Sequence, residues 1–176
     1  MSTSGTNPGV KLQLDVQGFD AHPWQRYISG SERSGIEFHT LAELGDTEAN
    51  RKRLYELNKV CSADIPGRGP FYSYEQYRDA RLQPESYTPA GIILAIEGDT
   101  WVGMSAASYH KEQNFVFNEM TGVPREYRRR GIATALKVLA IRFAASLGVP
   151  VIYTFHAAAN VAAIAMNRRL GYTDRL

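Results

Sequence analysis

Residues Thr121 to Thr134, TGVPREYRRRGIAT, decide how the rest of the chain is read. Before them, Phe115 to Val123 has the apolar content of a strand. After them, Gly131 to Leu147 carries Ile132, Ala135, Leu136, Leu139, Phe143 and Leu147 on one helical stripe, with Lys137 and Arg142 off it. The N-terminus of a helix has unpaired N–H groups and a partial positive charge. Gly131 has no Cβ to hold an anion away from that backbone, and Arg128, Arg129 and Arg130 add charge beside it. An arginine run alone would serve solubility. Between a strand end and a glycine-opened helix, it predicts a pyrophosphate cradle. Each such contact contributes only about 0.3–1 kcal/mol when exposed, so several must act together. No GxxxxGK[ST] is present, and no GxGxxG follows a strand, which argues against a P-loop NTPase and a Rossmann dinucleotide site.

On the C-terminal side, Gly148 and Pro150 stop the helix, Val151 to Phe155 reads as a short buried strand, and Asn160 opens a last helix that Gly171 ends. On the N-terminal side, Ala90 to Ile96 and Trp101 to Tyr109 flank Gly98-Asp99, which predicts a hairpin. Thr47 to Ala63 has helical spacing, and Ser73 begins another short helix. Ser62 to Tyr72, with Pro66, Gly67, Gly69 and Pro70, reads as a loop. Val10 to Val16 alternates apolar and polar residues like a half-buried strand. Asp20 is positioned to cap a short helix that Gly30 ends, and residues 1–9 read as a mobile tail. This order predicts an α/β (α+β) domain with a mixed, mostly antiparallel sheet flanked by helices and an N-terminal strand extension. Residues 1–35 form the tail, strand and short helix, and residues 36–176 the main domain.

The chain has 176 residues, 44% hydrophobic and 22% charged, which suits one folded domain and excludes a wholly disordered chain. Twenty Lys and Arg against eighteen Asp and Glu leave a net charge of +2, so nucleic-acid and membrane partners are not expected. The single cysteine, Cys61, excludes an intrachain disulfide and a multi-cysteine metal site, and no metal is expected. Without a secretory leader, and with its longest apolar run far below the ~18 residues of a span, the chain is expected in the cytoplasm.

Arg128-Arg129-Arg130-Gly131-Ile132-Ala133 resembles the R/Q-x-x-G-x-G/A signature of the GNAT N-acetyltransferase superfamily. Arg169-Leu170-Gly171-Tyr172, following Asn160, is similar to the family's "N…klGF" ending. The resemblance spans roughly Ile36 to Tyr172. It implies acetyl-CoA as co-substrate and a splayed pair of strands, Phe115–Val123 and Val151–Phe155, with the pantetheine arm between them. It also implies that the backbone of Arg128, Arg129, Arg130, Gly131, Ile132, Ala133 and Thr134 holds the pyrophosphate. The backbone near Val123 would pair with the pantetheine amides like an added strand. Asn160 would bond the cofactor arm, or serve as a plain helix cap.

The resemblance implies direct acetyl transfer to a primary amine of a small molecule or peptide. An alkyl ammonium has a pKa of about 10.4 and must first lose a proton, so a general base is required. The family's base position matches Phe117 here. Glu119 lies two residues later, on the same face of a regular strand, and is the expected base, with His110 as its rival. The position matching the family's acid tyrosine is Asn167, which is no acid at neutral pH but can hydrogen-bond the sulfur or the pantetheine. Tyr172 is offset from it and reads as core. Cys61 has no nearby base and is not expected to act as a nucleophile. Asp64 to Tyr72 is the expected acceptor-facing loop, with Asp64 available to an ammonium. Phe117 and Asn167 keep an alternative open, a catalytically inactive CoA-binding sensor or interaction module. A nucleic-acid role for Arg125 to Arg130 fits poorly with the low net charge. The family usually adds strands after the position of Gly171-Tyr172, where only Thr173 to Leu176 remain. Val10 to Val16 is therefore expected to supply a replacement strand, in its own sheet or swapped into a partner as a homodimer.

Overall fold

The computed structural model describes residues 8–176, so most of the expected tail lies outside the described residues. Among the described residues the strands are β1 (Gly9–Asp15), β2 (Ile36–Thr40), β3 (Ile92–Glu97), β4 (Thr100–His110), β5 (Phe115–Gly122), β6 (Val151–Ala157) and β7 (Thr173–Asp174). They form one sheet in the order β2-β3-β4-β5-β6-β1-β7. Every pair is antiparallel except β5 and β6, which run parallel. The helices are α1 (Gln25–Arg33), α2 (Leu41–Leu44), α3 (Glu48–Ser62), α4 (Tyr74–Tyr77, continued by π turns over Arg78–Leu82), α5 (Ile132–Ser146) and α6 (Val161–Arg169). This is the mixed, mostly antiparallel sheet flanked by helices that the element order predicts.

The alternation in Val10 to Val16 has a direct counterpart. Leu12, Leu14 and Val16 are buried against Val116, Ile152 and the apolar side of α5. β1 lies in its own sheet, between β6 and β7, with Gly9 to Asp15 registered against Ala157 to Val151. The strand has no Pro and its inward residues are β-branched or Leu, so it fills an interior position of the sheet.

Two faces are covered. α1 and α5 pack on one, and Leu170 and Tyr172, at the end of α6, join the same cluster. α3 and α4 cover the other through Leu54, Tyr55, Leu57 and Tyr77. Two local expectations differ. α1 runs through Gly30 to Arg33 and ends at Ser34-Gly35, where Gly35 has φ +92°. Asp20 Oδ1 accepts from the His22 backbone N–H in a turn before the helix. Lys137, placed by the helical wheel outside the apolar stripe, is 1% exposed. α5 packs along β3, β4, β5 and β6, so the sheet buries far more of its circumference than one stripe.

Candidate active site

β5 and β6 pair only from Phe115↔Val151 to Asn118↔Thr154. Beyond that point they diverge, because β6 stays registered with β1 while β5 follows β4. The result is a cleft of about 660 Å³. Glu119 to Val123 form one wall. Thr154 to Ala157 and Asn160 to Ala163 form the other. The backbone of β5 past Asn118 has no strand partner on that side, so its N–H and C=O groups are available to an extended ligand. This is the splayed pair that the resemblance implies.

The basic loop lies at the mouth. Arg129 has φ +64° and Gly131 φ +78°, so two left-handed residues turn the chain into α5. Gly131 occupies the N-cap position, where no side chain bonds the first turn, and the N–H groups of Ile132, Ala133 and Thr134 remain free for an anion. A Cβ on Gly131 would stand 3.1 Å from Tyr27 Cδ1, so α1 also requires glycine here. The arginine charge is largely committed elsewhere. Arg128 donates from Nε to Val123 O at 2.9 Å and pairs with Asp64 at 3.0 Å. Arg130 forms a two-pronged pair with Glu97, both contacts 3.2 Å. Arg129 makes no ion pair among the described residues. An anion at this helix end would therefore meet backbone N–H groups, and Arg128 and Arg130 position the loop that carries them.

Asp64, expected to receive an ammonium, is already neutralised. Arg125 reaches it at 2.8 Å and Arg128 at 3.0 Å, and the Arg125 hydrogen bond above all holds its carboxyl below the ordinary range.

Glu119 is where β5 is irregular. Ala106 faces Met120 and Ala107 faces Asn118, so Glu119 is the extra residue of a β-bulge. Asn118 turns toward α5, whereas Glu119 and Met120 turn toward α3 and α4. Burial pushes the Glu119 carboxyl up, opposed by Arg81, whose Nη1 lies 3.7 Å from Oε2, and by the Ser108 hydroxyl. Glu119 lines the cleft and also a small adjoining cavity of about 30 Å³ bounded by Asn58, Phe71, Tyr72 and Tyr77. His110 lines neither. It stacks on Phe115 with ring centroids 4.4 Å apart, and its Nε2 meets Ser108 Oγ at 3.1 Å.

Asn160 stands at the start of α6 but makes no side-chain cap bond, and it lines the cleft. Asn167 is fully buried and does not line it. Its amide nitrogen lies 2.8 Å from His156 Nε2 and donates to Ala163 O at 2.8 Å, so it reaches the cleft through His156. Cys61 packs under Gly122, where a Cβ would come within 2.6 Å of Cys61 Cβ. Burial pushes its thiol up to about 12, which leaves no thiolate at neutral pH.

Helical periodicity missed one strongly perturbed group. Lys137 Nζ donates to Asn118 Oδ1 where the strands part, and lies 5.0 Å from the centroid of the Tyr172 ring. Complete burial pushes its pKa down to about 7. Burial, and then the Lys137 charge, push His156 down to about 4. Asn118 is held by Ala106 O at 2.9 Å and Ser105 Oγ at 3.1 Å, so the lysine meets a fixed acceptor. The only legible signal was one lysine among the apolar residues of the first turns of α5.

Comparison with solved structures supports the same architecture. A GCN5-related N-acetyltransferase from Sphaerobacter thermophilus superposes with TM-score 0.68 at 20% identity, over 95% of this chain and 48% of that one. The chain thus spans about half the length of that protein. The ribosomal-protein-S18-alanine N-acetyltransferase from Escherichia coli gives TM-score 0.63 at 18% identity, covering 80% of this chain and 79% of its own. Ard1 from Thermoplasma volcanium gives 0.63 at 12% identity, covering 81% and 85%. No curated protein matches significantly in sequence. The profile of the Acetyltransferase (GNAT) family matches residues 51–172, from α3 through the cradle to the end of α6. With the splayed strands and the glycine-opened helix in place, the chain belongs to the acetyltransferase (GNAT) family.

Proposed function

We propose that the protein transfers an acetyl group from acetyl-CoA to a primary amine by direct, general-base-assisted attack. The observation that carries this reading is the unpaired edge of β5 leading from Glu119 to the free N–H groups of α5. The residues present suit the co-substrate. Backbone N–H groups from Arg128 to Thr134 would hold its pyrophosphate, the backbone near Val123 its pantetheine amides, and Asn160 the same arm. Bound acetyl-CoA supplies an activated thioester acyl group.

The chain's own groups do the rest. Glu119, raised by burial, accepts the proton an ammonium must lose. The open N–H groups of β5 stabilise charge developing on the acyl oxygen. A C–N bond forms as the C–S bond breaks, and the departing thiolate needs one proton. Asn167 cannot give it, but Lys137, pushed down to about 7, is a buried acid in the cleft wall. Asn167 holds His156 in orientation beside it. The single thiol, Cys61, is free and buried, consistent with work in a reducing cytoplasm.

Calorimetric titration with CoA and thiol release from acetyl-CoA across an amine panel test this reading. Arg128→Ala combined with Gly131→Glu should weaken CoA binding strongly, since a carboxylate then faces the pyrophosphate. Unchanged affinity in that double variant overturns the proposal. CoA binding with no thiol release for any amine would favour the sensor alternative.

A further inference from the structure

We infer that the acceptor is a compact amine bearing a carboxylate a few bonds away, an amino-acid-like molecule whose carboxylate is held by Arg68 and Arg81 while its amine meets Glu119. The inference rests on the acetyltransfer reading above and adds the substrate class.

Charge on the acceptor side of β5 is unbalanced. Arg68, Arg81 and Glu119 line both the cleft and the adjoining cavity, so all three border the point where the two spaces join. Asp64, the other carboxylate of that wall, is consumed by Arg125 and Arg128. Two guanidiniums therefore face one carboxylate. Arg68 makes no ion pair among the described residues and stands over the Phe71 ring, 4.9 Å from its centroid. Burial above all lowers its pKa, with the neighbouring Arg81 charge acting in the same sense and Tyr72 opposing. Arg81 has Glu119 at 3.7 Å, an ion pair too long to be a hydrogen bond, so its fork of N–H donors remains available. A planar fork suits a carboxylate bound through two parallel bonds.

Geometry limits the size and spacing of the ligand. Because Arg81 and Glu119 are 3.7 Å apart, one molecule that meets both needs its amine and carboxylate close together. The adjoining cavity of about 30 Å³ is walled by Phe71, Tyr72 and Tyr77 and takes only a group or two of water size. Binding also assists the chemistry. The Arg81 charge lowers the proton affinity of Glu119. A carboxylate that pairs with Arg81 offsets that charge and leaves Glu119 a stronger base when the acceptor is in place. A polyamine or amino sugar would instead bring positive charge against two arginines.

The test compares kcat/KM for matched acceptors: alanine, alaninamide and ethylamine, and likewise β-alanine, its amide and propylamine. The expected result is at least a tenfold preference for each carboxylate. Arg68→Gln and Arg81→Gln, with melting temperatures checked, should bring that ratio toward one. Equal rates across a set, or a preference for the cationic members, would overturn the inference. Product binding supplies a readout independent of turnover: N-acetylalanine against N-ethylacetamide, titrated into the protein with and without CoA. Binding of the carboxylate product alone, lost in either variant, supports the inference even if no amine in the panel reacts. Equal binding of the two products overturns it. Failure to bind CoA with carboxylate selectivity intact would sink the acetyltransfer reading alone.

Discussion

Lys137→Met should abolish a pH dependence of stability that the wild-type protein carries. Burial moves Lys137 from its ordinary value of 10.5 to about 7, so the folded state favours the neutral amine by about 5 kcal/mol relative to an exposed lysine. Its folded pKa is depressed, so the unfolded chain binds more protons between about pH 7 and 10.5. Stability then rises with pH across that window. Below pH 7 both states are protonated, the slope vanishes, and the full cost of the buried charge remains. From pH 7 to pH 9 the gain is about 2 kcal/mol. Methionine keeps most of the stem and removes the charge. Asn118 Oδ1 keeps a donor in Thr121 Oγ1 at 3.2 Å. The variant should therefore be at least as stable as wild type near pH 7, and the two should converge as pH rises. Urea unfolding of both proteins at pH 7, 8 and 9 measures this difference directly. Cys61, pushed up to about 12, works in the opposite sense above pH 9, but it is common to both proteins and cancels in the difference. Parallel pH curves for the two proteins would refute the assignment of a depressed Lys137.

Three further outcomes follow from the same geometry. Glu119→Gln should lower turnover by about 10²- to 10⁴-fold with CoA affinity unchanged, and in wild type the acid limb of kcat/KM should lie above the ordinary carboxylate value of 4.5, both read from steady-state kinetics across pH. Leu12 is fully buried, so Leu12→Ala should cost about 2–5 kcal/mol by chemical denaturation, and deletion of residues 1–18 should lower the melting temperature because β6 and β7 lose the strand between them. Gly122→Ala should cost about 1–3 kcal/mol by overpacking against Cys61 and Met120, and Cys61→Gly in the same chain should recover part of the loss.

Much of the architecture was legible because its determinants are local. Gly98-Asp99 takes a hairpin turn with Gly98 at φ +61°, and the helix after the arginine run opens one residue past Gly131. Val10 to Val16 declared its buried face through period two alone. The candidate site was legible where it consists of backbone: Gly131 and the first turn of α5 follow from the order of strand, basic loop and helix, and Val123 from the family resemblance. Side-chain partnerships were not, because their members are far apart in the chain. Arg81 and Glu119, or Asp64 and Arg128, are brought together only by folding.

The sequence by itself determined the strand–loop–helix order, the position of the glycine that opens α5 and the alternation of β1, since each depends on local conformational preference and periodicity. Only the tertiary structure decided what the charges do. The bulge aims Glu119 at Arg81, two arginines cancel Asp64, and a sheet broader than one helical stripe buries Lys137 among groups that depress it. Periodicity reports which face of an element is apolar, but a charge takes its meaning from desolvation and from neighbours that distant segments supply.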